Sequence, residues 1–125
     1  MQSRVFWTII SIPSNYWRRY VLRHAIETTK DVGVAHCFLV NPSSFTIIEH
    51  KMHADLCLSK QHRHGYDTVA KTLAHMQRLR DAYEYYIFSD DDAFLDIKSL
   101  HDDLRLIGQT ILHTKFVYGS IEWSS

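Results

Sequence analysis

The sequence predicts an α/β fold with a mostly parallel sheet and flanking helices, on the basis of three observations. β-Branched and aromatic residues concentrate in four short runs, of which the first is residues 5–12, VFWTIISI. That run is almost entirely apolar, as expected of a strand buried on both faces of a parallel sheet. Between the runs, apolar residues recur at three- and four-residue spacing, as in amphipathic helices. Strands that alternate with helices form parallel sheets with helical crossovers.

The first two strands enclose a helix. We expect strands at residues 5–12 and 34–40, with Pro13 ending the first strand and Ser14 or Asn15 capping the helix that follows. A turn at Gly33 precedes the second strand. Seven apolar residues are predicted to form the buried stripe of this helix: Tyr16, Trp17, Tyr20, Val21, Leu22, Ala25 and Ile26.

The second half of the chain continues the alternation. Residues 45–52 fit a short helix or an irregular segment, and residues 54–58 predict a third strand. A polar loop at residues 60–65 leads to the clearest helical pattern, at residues 66–83. The fourth strand is predicted at residues 85–89, and Asp96 is expected to cap a last helix that ends at Gly108. Residues 115–118 could form another strand.

Composition describes an ordinary globular chain and limits its partners. The 125 residues suffice for one domain, and 14 basic residues balance 14 acidic ones, giving a net charge of zero with neutral histidines. This balance argues against broad electrostatic binding to nucleic acid or to anionic membranes. No apolar run approaches the ~20 residues of a membrane span. Cys37 and Cys57 each lie in an apolar run, which predicts buried thiols rather than a disulfide framework.

The strongest candidate for chemistry is the acidic triplet Asp90, Asp91 and Asp92, directly after the fourth predicted strand. Three adjacent like charges repel, so this arrangement is costly unless a cation or solvent offsets it. The carboxyl ends of strands are also where open α/β sheets bind ligands. An Asp-x-Asp unit that holds a hard divalent cation facing a phosphate is one hypothesis, and a solvated acidic loop is the other.

Other motifs leave further alternatives. The first Asp of an Asp-x-Asp unit can be a phosphoryl nucleophile, which would make Asp90 the nucleophile and Asp92 the general acid of a phosphohydrolase. That motif normally follows the first strand of its domain, and here it follows the fourth. A structural zinc site is a weaker hypothesis, drawn from His50, His53, Cys57, His62 and His64, whose spacing matches no zinc finger. The sequence contains neither a Gly-x-Gly-x-x-Gly fingerprint nor a P-loop.

Several segments, in order, resemble the β-1,3-galactosyltransferase and N-acetylglucosaminyltransferase family of type II Golgi enzymes, glycosyltransferase family 31. The matching features are the first strand and its Pro turn at residues 9–14, Arg19-Tyr20-Val21-Leu22-Arg23, Glu49 with Asp55-Leu56, Tyr66 followed by Lys71-Thr72, Asp90-Asp91-Asp92-Ala93-Phe94-Leu95, and Tyr118-Gly119. Together these segments span nearly the whole chain.

This resemblance implies a GT-A-type, Rossmann-like nucleotide-sugar-binding domain. The implied activity is inverting transfer of galactose or N-acetylglucosamine from a UDP-sugar to a hydroxyl of an acceptor glycan or glycoprotein, with Mn²⁺ or Mg²⁺. Asp90 and Asp92 would be metal ligands, and the implied nucleotide-sugar site comprises Arg19, Arg23, Asp55, Lys71, Asp90 and Asp91. Localisation would be the lumenal side of the Golgi membrane, through an anchor that this chain does not contain.

Departures from the family pattern indicate a divergent member. Ile26 replaces a Trp, the segment from Tyr66 to Lys71 is one residue short, and Phe88 replaces a Lys. The family's catalytic domain is about twice as long, so residues 1–125 are expected to be a partial domain, the N-terminal nucleotide-sugar-binding half. The catalytic base is then expected beyond Ser125. A phosphohydrolase and a non-catalytic transferase fragment remain the alternatives.

Overall fold

A computed structural model of the chain describes residues 5–28, 34–58, 74–75, 77–78, 83–93 and 96–110. It confirms the α/β class. Seven helices and strands fall within these ranges, in chain order: β1 (Val5–Ile10), α1 (Tyr16–Glu27), β2 (Val34–Val40), α2 (Ser44–His53), β3 (Leu56–Leu58), β4 (Tyr85–Asp90) and α3 (Ile97–Thr110).

The four strands form one sheet in the order β3-β2-β1-β4, and every neighbouring pair is parallel. Ile10, at the end of β1, lies opposite Leu39 of β2 and Asp90 of β4, so the carboxyl ends of these strands share one edge. The chain moves outward from β1 through β2 to β3, and β4 lies on the other side of β1. The strand order therefore reverses between β1 and β4, where open α/β sheets form their ligand crevice.

Helices cover both faces of the sheet. On one face, Leu22 and Ile26 of α1 pack against an apolar cluster that comprises Trp7, Ile9, Phe38, Val40 and Leu56. Leu100 and Leu104 of α3 pack beside Val5 on the same face. The opposite face carries Phe6 and Cys37, and both contact His75. His75 is one of four described helical residues between β3 and β4.

The predicted buried stripe of α1 is wrong for three of its residues. Trp17, Tyr20 and Val21 are 73%, 52% and 48% exposed, whereas Arg19 is fully buried together with Leu22 and Ile26. The helix is rotated so that a charged residue faces the core. Burial of a charge is tolerated where hydrogen bonds satisfy it, and Arg19 makes five of them.

The ambiguous residues 45–52 are helical, because the chain supplies a strong start and stop for α2. The Ser43 side chain accepts a hydrogen bond from the Thr46 backbone N–H, and the Thr46 hydroxyl accepts one from the Ser43 N–H, which forms a capping box. Ala54, in the left-handed conformation at φ 55°, ends the helix. This reversal brings Asp55 back toward α1 at the start of β3.

Some predicted boundaries shift. The first strand ends at Ile10 rather than at residue 12, the third begins at Leu56, and the fourth includes Asp90. Asp96 accepts hydrogen bonds from the Ser99 backbone and hydroxyl, which confirms its capping role. However, α3 continues past Gly108 to Thr110. Gly33 and the segments predicted at 60–65 and 115–118 lie outside the described residues, as does most of the 66–83 helix.

No helix in the described part of the chain combines the length and the apolar character needed to cross a membrane.

Candidate functional site

An open cleft lies at the reversal point of the sheet, between the carboxyl ends of β1 and β4. Its volume is about 190 Å³. We call it the acidic cleft, and its lining comprises Ile10, Ser11, Ile12, Asn15, Arg18, Asp90, Asp91 and Asp92. The location agrees with the expectation that the acidic triplet lies at the carboxyl edge of the sheet.

Asp91, the middle residue of the triplet, is buried and fixed by three side chains. Its Oδ2 accepts hydrogen bonds from Ser11 Oγ at 2.7 Å and from Asn15 Nδ2 at 2.9 Å. Its Oδ1 accepts one from Arg18 Nη1 at 3.1 Å. These donors come from the loop after β1 and from α1, so Asp91 connects that loop to the turn after β4.

The local sequence explains this connection. Asn15 is the N-cap residue of α1, but its side chain makes no capping hydrogen bond. Its amide donates to Asp91 instead. A side chain that could have stabilised its own helix by about 1 kcal/mol therefore holds the acidic turn in place.

Asp90 and Asp92 flank this fixed residue and are both exposed. Within the described ranges, no side chain donates a hydrogen bond to either carboxylate, while the backbone carbonyl of Asp90 accepts one from the Ala93 N–H in the turn. Two solvent-facing carboxylates on either side of a fixed residue suit a hard cation, which prefers oxygen ligands. Carboxylate oxygens are the ligand type that Mn²⁺ and Mg²⁺ prefer, and binding of either ion here stays a prediction.

A second charged region lies beside the cleft, between α1, α2 and the sheet. We call it the arginine–carboxylate network, and it comprises Arg19, Arg23, His36, Glu49 and Asp55. Arg19 donates to both carboxylate oxygens of Glu49 at 2.8 Å, to Ser11 Oγ, and to the carbonyls of Ile12 and Pro13. All five N–H donors of its guanidinium are therefore used.

Arg23 extends the network to β3. It donates to both carboxylate oxygens of Asp55 at 2.7 and 2.8 Å and to Glu49 at 2.8 Å, and its guanidinium lies 5.1 Å from the centre of the Phe38 ring. His36 contacts Asp55 at 3.3 Å. Arg23 Nη1 is buried and has no partner among the described residues.

The pairing keeps these carboxyl groups ionised. Burial would raise the pKa of Asp55, but hydrogen bonds from His36 and Arg23 outweigh it and lower the pKa to about 2. Burial likewise opposes ionisation of Glu49, and the Arg19 and Arg23 hydrogen bonds hold its pKa below the ordinary value. Burial would lower the pKa of Arg23, whereas Asp55 and Glu49 raise it. Glu49, Asp55 and Arg23 are thus charged at neutral pH.

The residues predicted to bind the nucleotide sugar fall into two groups. Asp90 and Asp91 line the acidic cleft, while Arg19, Arg23 and Asp55 belong to the arginine–carboxylate network. Their predicted role in binding stays a prediction. Lys71 lies outside the described residues.

Ser11 joins the two groups, because its hydroxyl accepts from Arg19 Nη1 at 2.9 Å and donates to Asp91. The prediction of site residues missed Ser11, Asn15 and Arg18. Their position could have indicated a role in the site, because they follow the first strand and so lie at the same edge of the sheet as the triplet.

A second concavity lies along the same loop. It has a volume of about 330 Å³ and is lined by Pro13, Ser14, Tyr16 and Phe45. The rings of Tyr16 and Phe45 meet edge to face, with centroids 5.4 Å apart. We call this concavity the aromatic hollow, and its apolar walls could accept a planar ring.

Among the described residues, His50, His53 and Cys57 of the zinc hypothesis do not share a site. His53 is exposed, and His50 Nδ1 accepts a hydrogen bond from the Leu56 N–H near the end of α2. Cys57 faces the other side of the sheet because strand side chains alternate, and Leu56 already faces the α1 side. His62 and His64 lie outside the described residues.

Cys57 instead meets Cys37 and His75. Cys37 Sγ is 3.4 Å from His75 Nε2, and Cys57 Sγ is 3.4 Å from His75 Nδ1. The hydrogen bond that Cys57 accepts from Cys37 lowers the pKa of Cys57, with further help from His75. The same hydrogen bond and burial raise the pKa of Cys37. The two sulfurs thus differ in how readily they ionise, and both lie against the imidazole of His75.

Comparison with known proteins assigns no family. The sequence matches none of the protein-family models, and no curated protein shows significant similarity to it.

Proposed function

We propose that the acidic cleft binds a divalent cation and the diphosphate of a UDP-sugar, and that the chain is the donor-binding half of a GT-A-type inverting hexosyltransferase. The observation that carries the proposal is the presentation of Asp90 and Asp92. Both face solvent at the reversal point of the sheet, on either side of the buried and fixed Asp91.

The charge of the cleft supports a cation together with an anionic ligand. Carboxylates alone would repel a diphosphate, so a phosphate ligand at this position needs a cation between it and Asp90 and Asp92. Arg18 lies at the rim with its side chain 53% exposed, while it also pairs with Asp91. Its outer donors could contact a phosphate oxygen without disturbing the buried Asp91.

The aromatic hollow supports a nucleotide rather than free phosphate. It is formed by the same loop, residues 11–15, that lines the cleft, and its walls include the rings of Tyr16 and Phe45. A planar uracil ring packs well on such rings. We infer that the base occupies the hollow and the diphosphate the cleft.

In this proposal the residues of the cleft act on the UDP-sugar donor. A bound Mn²⁺ would neutralise the charge that develops on UDP as it leaves. Asp90 and Asp92 would hold that ion, and Ser11, Asn15 and Arg18 would orient the turn through Asp91. We assign no base to deprotonate an acceptor hydroxyl, and the acceptor glycan and the Golgi lumen remain part of the proposal on the strength of the family resemblance.

A phosphohydrolase is the second candidate, because Asp90 has an exposed carboxylate at the carboxyl end of a strand. In that reaction Asp90 would attack phosphorus of a phosphate ester, and Asp92 would protonate the leaving alkoxide. This candidate requires turnover of a simple phosphate ester with Mg²⁺ and no preference for UDP.

Titration calorimetry of UDP tests the proposal. We expect UDP to bind the wild-type chain with Mn²⁺ and at least tenfold more weakly with excess chelator. Asp92→Asn and Asp90→Asn should each lose the effect of Mn²⁺. Glu27→Gln is the matched control, because Glu27 is an exposed carboxylate at the end of α1, outside the cleft. Mn²⁺-independent binding, or equal effects of all three substitutions, would overturn the proposal.

A phosphatase assay separates the second candidate. Hydrolysis of p-nitrophenyl phosphate with Mg²⁺, lost in Asp90→Asn, would favour the phosphohydrolase. UDP binding without such hydrolysis would favour the transferase donor site. A chain that binds UDP and Mn²⁺ but transfers no sugar would be the non-catalytic fragment.

A further inference from the structure

The face of the sheet opposite α1 carries a group of metal-ligating side chains that the proposed function does not use. Cys37 of β2, Cys57 of β3 and His75 lie there, and one potential ligand atom from each lies within 4.8 Å of the others. We call this group the thiol–imidazole cluster. Cys37 and His75 are buried, and Cys57 is partly buried.

We propose that the thiol–imidazole cluster binds a thiolate-preferring d¹⁰ cation, with Zn²⁺ as the ion it fits best. Two sulfurs and one imidazole nitrogen are the ligand types that select zinc, whereas Mn²⁺ and Mg²⁺ prefer oxygen. The acidic cleft, on the other hand, offers oxygen ligands. The two regions would therefore discriminate between the two kinds of metal by ligand chemistry.

The three side chains lie close enough together to share one ion after a rotation of the His75 ring. Zinc lies about 2.3 Å from sulfur and about 2.0–2.1 Å from nitrogen, so a sulfur and a nitrogen on one ion are roughly 3.5 Å apart. Each sulfur lies 3.4 Å from a different ring nitrogen of His75, which is close to this value. Only one ring nitrogen can bind, so the His75 ring would turn until a single nitrogen faces both sulfurs.

The topology explains why these residues meet. β2 and β3 are neighbouring parallel strands, and Cys57 lies opposite Leu39, two residues beyond Cys37 on the same face. His75, in the described helical residues 74–75, lies against that face. An ion here would connect His75 to Cys37 and Cys57, which lie 38 and 18 residues before it in the chain. Such a connection stabilises the folded chain, because the ion binds the assembled site and not separate segments.

Metal binding at this cluster is coupled to the release of protons, because zinc binds thiolates. Binding of Zn²⁺ converts the cluster to two thiolates and a neutral imidazole, and the displaced protons pass to solvent. Within the described residues no fourth Cys, His, Asp or Glu joins the cluster.

Cobalt and zinc titrations test this proposal. The purified, reduced chain should bind one equivalent of Co²⁺ and show a thiolate-to-cobalt charge-transfer band in the near ultraviolet, which one equivalent of Zn²⁺ should abolish. We expect saturating Zn²⁺, at about 100-fold over its Kd, to raise the Tm by roughly 10 °C. Cys57→Ser and His75→Gln should lose the band and the Tm shift.

A control variant and a second measurement keep the test decisive. His53→Gln removes an exposed histidine outside the cluster and should retain both effects. X-ray absorption of the wild-type zinc complex should show two sulfur ligands and at least one nitrogen, and it does not depend on the folding of a variant. A reduced wild-type chain without the cobalt band, or a zinc complex with only nitrogen and oxygen ligands, would overturn the proposal.

Discussion

The arginine–carboxylate network and the acidic cleft are neighbouring charged regions that differ in how completely their charges are paired. In the network, Glu49 is buried between Arg19 and Arg23, and every carboxylate has at least two partners. In the cleft, only the middle carboxylate is paired, and Asp90 and Asp92 face solvent. Charge density in the sequence therefore does not show which charged side chains are paired, because pairing depends on the fold.

Hydrogen bonds also connect the two regions to each other. Ser11 accepts a hydrogen bond from Arg19 and donates one to Asp91. Arg19 further holds the carbonyls of Ile12 and Pro13, so the network fixes the loop that lines the cleft. The paired region thus supports the loop beside the exposed Asp90 and Asp92. Four predictions test this division, in order of decreasing effect.

The largest effect is expected from Glu49→Gln. This change leaves Arg19 buried without a counter-charge, and breaking a buried ion pair from one side typically costs about 3–5 kcal/mol. Urea denaturation should show a matching loss in the free energy of unfolding. Glu27→Gln, an exposed carboxylate on α1, should change it by less than about 0.5 kcal/mol. Equal effects of the two variants would remove the distinction between a structural network and surface charge.

Asp91→Ala is expected to affect both stability and binding. Ser11 and Asn15 lose their shared acceptor, at a cost of about 1–3 kcal/mol. The turn that carries Asp90 and Asp92 also loses its anchor, so UDP binding in the presence of Mn²⁺ should weaken. Thermal unfolding and calorimetry measure the two effects. If a destabilised Asp91→Ala chain bound UDP and Mn²⁺ as tightly as the wild type, Asp91 would not organise the cleft.

Acid should destabilise the folded chain through the network, because the Asp55 carboxyl has a lowered pKa. The pKa of Asp55 is lowered to about 2 from an unfolded value near 3.9, so its contribution is fully present above about pH 4. It is lost as the pH falls through 2. After allowance for solvent screening we expect a loss of about 1–2 kcal/mol. The free energy of unfolding, measured by chemical denaturation across this pH range, should change less steeply with pH for Asp55→Asn than for the wild type. An unchanged dependence on pH would contradict the lowered pKa of Asp55.

The smallest effect on stability is expected from Asp92→Asn. This side chain is exposed, and its neighbours Asp90 and Asp91 carry the same charge. Its neutralisation should change the free energy of unfolding by no more than about 0.5 kcal/mol relative to the wild type, and any change should be an increase. Loss of Mn²⁺ binding by a fully stable variant would distinguish a ligand-binding carboxylate from a structural one. A large loss of stability would place Asp92 among the structural carboxylates instead.

Sequence patterns were sufficient for the α/β class and for the position of the acidic triplet. β-Branched runs and helical spacing depend on local geometry, so they located β2 at residues 34–40 and placed Asp90 to Asp92 after a strand. The Asp96 cap was likewise visible, because capping is a local hydrogen bond. The Ser43–Thr46 capping box is equally local, and it decided the ambiguous helix α2.

Tertiary structure alone decided which charged residues are paired and which surfaces are buried. Periodicity placed Trp17 in the core and Arg19 outside, and the reverse holds because Glu49, 30 residues away, satisfies the guanidinium. The same applies to Asp91, whose donors Ser11 and Asn15 lie 80 and 76 residues earlier, and to the thiol–imidazole cluster. Local patterns cannot reveal such partners, because the free energy of a buried charge depends on groups that only the fold brings within hydrogen-bonding distance.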